Sequence, residues 1–253
     1  MEPTTLNRGS EGGNGGMGGR GGSRANVDSH GGGGGGGGAG GYGVVIVGSN
    51  LTLTNESDIS GGIGGAGGAG GAGGPGGQGG QGGNGGDGGV GVFLTNSNTL
   101  INAGTIAGGN GGAGGAAGAG ANSTPGMIGM AGAGGVGVVG TGNDTVINSG
   151  TISGGFRGGI DNEANRADAV ELFGGGNTLE LRAGFKIVGN AVSKGPSIPS
   201  PSGEHFEPGG DTLALGGTEE SSFNVALIGN IGEVKAQYQG FGSLLKPAPA
   251  PGS

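Results

Sequence analysis

Residues 61–89 read GGIGGAGGAGGAGGPGGQGGQGGNGGDGG, an almost unbroken run of Gly-Gly-X triplets. A period of three belongs to neither an α-helix nor a β-strand. It belongs to the polyproline-II-type helix, with three residues per turn and about 3.1 Å of rise. In that conformation every X lines up on one edge and the remaining two faces are bare backbone. Without Cβ atoms such faces can approach other helices closely and hydrogen-bond laterally. Collagen uses the same backbone, but its Gly-X-Y repeat needs one glycine per turn and abundant proline. Proline totals ten here and stands mostly outside the triplets, which excludes collagen.

Eighty of the 253 residues are glycine. Glycine has the most backbone entropy to lose on ordering, so a single such tract read alone is a flexible linker. The surroundings of the tracts argue otherwise, because they alternate at a regular interval with segments rich in β-branched residues. Three segments align almost without gaps: 42–62 (YGVVIVGSNLTLTNESDISGG), 90–109 (VGVFLTNSNTLINAGTIAGG) and 136–155 (VGVVGTGNDTVINSGTISGG). Each holds a short apolar strand, an Asn/Gly turn, a second strand, a polar step and a third short strand. One such unit cannot bury its own apolar residues, but a stack can. This predicts an all-β chain, a parallel β-solenoid (β-helix) with rungs of about twenty residues. A fourth rung is expected from 169–172, 177–181 and 185–188, a fifth from 211–215 and 223–228, and the start of a sixth at 238–242.

The glycine tracts fall at the same corner of each rung, so each must leave the column and return. Breaks near their midpoints fit that: Pro75 in 61–89, and Asn122-Ser-Thr-Pro-Gly126 in 108–135. Ahead of the first rung, 9–22 and 31–41 flank 23–30. The expectation is three lateral polyglycine-II hairpins, six arms in all. An arm of about twelve residues extends roughly 37 Å. The second tract loses its strict triplet after Ala116, which makes its return arm the least regular. By domain, 1–41 is an N-terminal arm pair, 42–246 the solenoid with insertions at 61–89 and 108–135, and 247–253 a linker or tag. Two further excursions differ: 154–168 reads as a plain charged loop, and 193–210 as an extended Pro/Ser-rich one.

The net charge of -8 and pI near 4.6 argue against nucleic acid or an anionic membrane as partner. Cysteine is absent, which excludes disulfide and thiol chemistry and is compatible with export through a bacterial envelope. No apolar run approaches eighteen residues, so no membrane-spanning segment is expected. The first ten residues lack a charged-then-apolar signal pattern. An exported form is therefore expected to be a mature fragment carrying an added start codon.

The rungs resemble the passenger regions of bacterial autotransporters (type V secretion). The residues that carry the resemblance are 98–106 (NTLINAGTI), 143–152 (NDTVINSGTI), 210–217 (GDTLALGG) and 238–243 (YQGFGS). It covers 42–246 apart from the glycine tracts. It implies a parallel β-helix displayed on, or released from, a Gram-negative surface, often as an adhesin. The chain departs from the pattern in showing neither signal nor translocating barrel. The glycine tracts separately resemble mycobacterial PGRS-type repeats and the distal adhesins of some tailed phages, which stack polyglycine-II helices.

Little in the sequence points to an enzyme. His30 and His205 are each isolated among polar neighbours and not at metal-ligand spacing. No Gly-X-Ser-X-Gly nucleophile motif occurs, and no Lys-Ser/Thr follows a glycine loop. Asp161, Glu163 and Asp168 read as a solvated charged turn. Residues 140–146 (GTGNDTV) and 82–87 (GGNGGD) resemble single copies of a calcium nonapeptide repeat, but shared sites need tandem copies, so ordinary Asn/Asp turns, with no metal and no cofactor, are expected. The reading is a non-catalytic adhesin that meets a host or abiotic surface, or a cell-surface receptor, through the tips or faces of its glycine arms. The tip candidates are Arg24, Asn26, Asp28, His30, Pro75, Asn122, Ser123, Thr124 and Pro125. Two alternatives stand beside it. One is a structural spacer or matrix protein without a ligand. The other is ice or surface binding by a flat glycine face, which Ala66, Ala69 and Ala72 suit and Gln78, Gln81, Asn84 and Asp87 do not.

Overall fold

A computed structural model describes residues 29–121, 124–195, 209–219 and 222–246. The expected first arm at 9–22, the middle of the Pro/Ser-rich excursion and the tail lie outside the described residues. Short strands make three sheets, and every strand-to-strand pairing is parallel. The first sheet runs β1 (Val44–Ile46), β4 (Val92–Leu94), β7 (Val138–Gly140), β10 (Val170–Leu172), β13 (Ala191–Ser193), β16 (Tyr238–Gln239), β15 (Ile228–Gly229). The second contains β2 (Thr52–Asn55), β5 (Thr99–Asn102), β8 (Thr145–Asn148), β11 (Thr178–Leu181), β14 (Gly209–Leu215) and β17 (Phe241–Leu245). In the third lie β3 (Asp58–Ser60), β6 (Thr105–Ala107), β9 (Thr151–Ser153) and β12 (Lys186–Val188). Each of the first four rungs gives one strand to each sheet, the stacked arrangement of a β-solenoid.

Register explains why the rungs repeat. Leu53, Leu100, Val146, Leu179 and Leu213 are direct partners across the second sheet, and Ile59, Ile106, Ile152 and Ile187 across the third. These columns and Val92, Val138, Val170, Ala191 and Tyr238 of the first sheet form one buried apolar cluster. Polar side chains also stack. Asn55 donates to Asn102 at 2.7 Å, 47 residues on, and Asn102 donates to Asn148 at 2.8 Å, 46 residues on. The ladder stops where Leu181 replaces asparagine in the register. A second ladder joins backbone to side chain: the N–H groups of Leu51, Asn98, Asp144 and Asn177 donate in turn to Asn98, Asp144, Asn177 and Asp211. Buried amides at the turn between first and second strands are thereby satisfied.

Differences from expectation gather in the later rungs. The fifth rung opens with β13, of which the sequence assigned Ala191 and Val192 to no element and Ser193 to the start of the Pro/Ser-rich excursion. Residues 223–228 supply a short 3-10 turn (Val225–Leu227) and the two-residue β15 in place of a rung strand. Asn224 causes it, its side chain accepting from the Ala226 N–H at 3.0 Å. Third-sheet strands end with β12.

The glycine tracts run as extended arms away from the column and back. Arms 1 (31–41), 3 (77–89) and 5 (124–135) form one layer, and arms 2 (61–74), 4 (108–121) and 6 (154–158) the other, as their hydrogen bonds show. The first residue of a triplet donates within its layer to a third-residue carbonyl: Gly34 to Gln81 at 2.8 Å, Gly82 to Met127 at 2.8 Å, Gly64 to Asn110 at 2.9 Å. The second residue donates to the arm before it, in the other layer: Gly65 to Gly38 at 2.7 Å, Gly83 to Gly68 at 2.9 Å, Gly112 to Gly86 at 2.8 Å, Gly129 to Gly115 at 2.9 Å. Within a layer the arms run parallel, and between layers antiparallel.

The spacing leaves no room for side chains inside. A Cβ on Gly83 would fall on the Gly35 carbonyl, and one on Gly64 on the Gly86 carbonyl. Arm 6 shows the rule from its other side. Gly134 of arm 5 faces Gly155, but arm 6 ends soon after, and the first positions of arm 5 farther from the column carry Ala131, Ile128 and Pro125. Strict triplets lapse where no further arm has to fit. Residues 154–158, expected to be plain loop, are thus a short sixth arm.

Gly83→Ala should destabilise the protein by about 1–3 kcal/mol, because the Gly34–Gly35 backbone that its Cβ would meet cannot yield as a rotamer would. Ala66→Ser, at an outward third position, should stay within about 0.5 kcal/mol. Thermal unfolding of the two variants checks this, and equal melting points would contradict it.

Candidate binding surface

Two of every three arm residues are consumed by packing, so the third residue decides what the plate presents. Arm 2 presents Ile63, Ala66, Ala69 and Ala72, and beside it arm 4 presents Asn110, Ala113, Ala116 and Ala119; all are exposed or half-buried. The opposite layer presents Gln78, Gln81, Asn84 and Asp87 on arm 3, flanked by Thr124, Met127, Met130 and Ala133 on arm 5. Alanines therefore dominate one face, and longer glutamine, asparagine, aspartate and methionine side chains the other. The sequence set the glutamine run against the alanine run as though they shared one face. They do not, because consecutive arms alternate between layers.

Several polar third residues are already engaged. Asn84 accepts from the Met130 N–H at 2.9 Å, Asp87 from Ala133 at 2.7 Å and Asn110 from Phe156 at 2.8 Å. Each caps an outward amide on the next arm of its layer. Gln78 and Gln81 remain as long polar groups on the polar face, and Met127 and Ile128, each 72% exposed, form an apolar edge beside them.

Of the expected tip residues, Arg24, Asn26, Asp28, Asn122 and Ser123 lie outside the described residues. The others gather at one end of the plate. His30 takes the Gln78 N–H on Nδ1 at 3.2 Å, Pro75 bridges to Ala121, and the Thr124 carbonyl accepts from Gly79 at 3.2 Å. Pro75, Thr124 and Pro125 are exposed. His205 lies outside the described residues.

At the base of the plate, residues 156–166 fold over the arms. The Arg166 guanidinium lies 3.8 Å from the Phe156 ring centroid, donates to both Glu163 oxygens at 2.8 and 2.9 Å, and reaches the Gly154 carbonyl at 2.7 Å. That hydrogen bond holds the exposed Glu163 carboxyl below the ordinary range. Asp87, Ala131, Arg157 and Asn165 help to line a hollow of about 410 Å³ there.

Asp144, in the calcium-like stretch, serves the fold. It is buried, and its two oxygens take the N–H groups of Asn98, Thr141 and Gly142. Burial raises its pKa against those bonds. A carboxylate so occupied has little left for an ion. Among the described residues no three acidic or histidine groups converge as metal ligands, and no helix is long and apolar enough to cross a membrane.

Asp168, which the sequence placed in a solvated turn, borders another hollow of about 330 Å³ with Asn190, Lys194 and Glu233. Its pKa is pushed up to about 6, chiefly by burial and then by the Glu171 charge, with Lys194 opposing. Lys194 pairs with Glu171 at 2.7 Å.

No family model matches this chain, and no curated protein matches it. One solved structure is similar: a springtail antifreeze protein from Granisotoma rainieri, a bundle of nine polyproline type II helices whose crystal waters match the ice lattice. Identity is 31%, over 51% of this chain and 97% of that one, with a TM-score of 0.16. At that score the backbones do not superpose, and glycine repeats raise identity by composition alone.

The Asp168 environment predicts a pH dependence. Its folded pKa lies above the ordinary carboxylate value, so the folded state holds the proton more tightly. Its contribution is full below about pH 4 and is lost as pH rises through about 6. Asp168→Asn keeps the acceptor for Asn190 without the charge. It should be more stable than the parent by about 1 kcal/mol at pH 7, after discounting for solvent screening, and no more stable at pH 4. Denaturation at both pH values checks this; an advantage equal at both would contradict it.

Proposed function

We propose that this chain is a non-catalytic adhesin segment, displayed on a bacterial outer surface or secreted, that binds extended surfaces through the faces of its glycine plate. In this reading the column is a closed β-helix and the arms are polyglycine-II hairpins standing off one flank. The observation that carries it is the sorting of third residues: alanines in adjacent columns on one face, glutamine, asparagine and methionine on the other. A plate held by main-chain hydrogen bonds orders its side chains before contact, which lowers the entropy cost of binding. Many weak, regularly spaced contacts then act together. The resemblance of the rungs to autotransporter passengers and the lack of cysteine support the location. Host or abiotic surfaces, or a cell-surface receptor, are the partners proposed.

Face and tip variants separate this reading from a spacer without a ligand. Ala69→Lys with Ala116→Lys tests one face, Gln81→Ala with Met127→Ala the other, and His30→Ala with Thr124→Ala the tips. Retention of the purified chain on hydrophobic and hydrophilic silica should fall about fivefold or more for one face pair, roughly 1 kcal/mol. Retention unchanged by all three would favour the spacer.

The alanine face supports a second reading, binding to ice or another ordered-water surface, since small residues at a fixed repeat leave the face flat. That reading predicts thermal hysteresis in the parent and its loss in Ala69→Tyr with Ala116→Tyr. A parent without hysteresis removes it.

A further inference from the structure

The plate has an unfilled edge whose hydrogen-bonding groups repeat those that pair arms in its interior. Arm 1 accepts from arm 2 through the carbonyls of Gly32, Gly35, Gly38 and Gly41. The N–H groups of those four glycines have no partner among the described residues. On arm 2, the Ile63, Ala66, Ala69 and Ala72 carbonyls likewise have none there. Inside the plate the equivalent groups are used: Gly83 and Gly86 donate to arm 2, and the Asn110, Ala113 and Ala116 carbonyls accept from it. The edge therefore presents four donors and four acceptors, at three-residue spacing, to one missing arm of the second layer.

We propose that this edge takes a Gly-Gly-X strand and that the occupant is the segment Gly12–Ser23 of the same chain. Its sequence, GGNGGMGGRGGS, keeps the triplet strictly and places Asn14, Met17, Arg20 and Ser23 at third positions. Those are the positions at which arms 2 and 3 carry their side chains. Four triplets match the edge in length. Carried over from the interior arms, the pattern gives Gly15, Gly18 and Gly21 as donors to Ile63, Ala66 and Ala69. It gives Gly13, Gly16, Gly19 and Gly22 as acceptors from Gly41, Gly38, Gly35 and Gly32. The residues left to connect Gly22 with Gly32 are comparable in number to those that connect arm 2 with arm 3. The surface is continuous with the interface between arms 1 and 2, and an uncovered edge of this kind invites pairing with another chain.

Oxidative cross-linking tests both the docking and its register, since the parent chain has no cysteine to interfere. Third residues that are lateral neighbours come close in the interior, as the 2.9 Å contact between Asn84 and Met130 shows. The pattern makes Met17 the lateral neighbour of Ala66, and both are outward positions that tolerate substitution. In Met17→Cys with Ala66→Cys, an intramolecular disulfide should form at least about tenfold faster than in Met17→Cys with Ala72→Cys, two triplets out of register. Equal rates, or no cross-link in either variant, would overturn the proposal. A disulfide found only between two molecules would overturn the choice of occupant and assign the edge to a second copy.

Discussion

The structure depends on glycine backbone meeting glycine backbone with nothing in between. Each interior arm is surrounded closely enough that two of its three amides per triplet find carbonyls on other arms, and a methyl group at either position would fall on main chain. This contact replaces the apolar core that the plate does not have. Its strength lies in number and regularity, since one peptide hydrogen bond contributes only about 1 kcal/mol net. Side chains enter as decoration on the outside, and that is why the outside is so orderly.

The β-sheet column makes the plate possible. Rungs stack at the ordinary spacing of paired strands, about 4.8 Å. Arms that leave each rung at the same corner inherit that separation, so the plate and the column share one repeat. The asparagine ladder steps by 47 and then 46 residues, and the side-chain contacts between arms 3 and 5 step by 46. The rungs also hold both ends of each arm pair, so the loop entropy of ordering an arm is already partly met before its bonds form. Where rungs stop sending out long arms, the plate ends and side chains return to arm 5.

Much of this was legible in the residues. Three segments that align almost without gaps marked the first three rungs with their strands in order, and the triplet period marked which positions in the tracts must be bare. Which face each arm shows was not legible, because it depends on consecutive arms alternating between layers. Hence Ala66 and Gln81 looked like competitors for one face. Ala191–Ser193 escaped notice because three residues ahead of a Pro/Ser-rich stretch carry no period. Residues 223–228 misled for the opposite reason: an apolar run read as strand, while Asn224 bent it by capping its own turn. The ladder through Asn98, Asp144, Asn177 and Asp211 is visible in sequence only as turn residues, since its meaning lies in contacts more than thirty residues apart. Of the tip residues the sequence favoured, those that can be placed share one end of the plate, yet His30 is partly engaged there.

Residue-resolved amide hydrogen exchange across 61–89 and 108–135 reads the hydrogen bonds between arms one amide at a time. Protection with a period of three is expected. First- and second-position amides such as Gly64, Gly65, Gly82 and Gly83 should exchange slowly, while Ala66, Ala69 and Ala72, whose amides face water, exchange near the free-chain rate. Uniformly fast exchange through both tracts would contradict it and leave the arms as unpaired insertions on a β-sheet column.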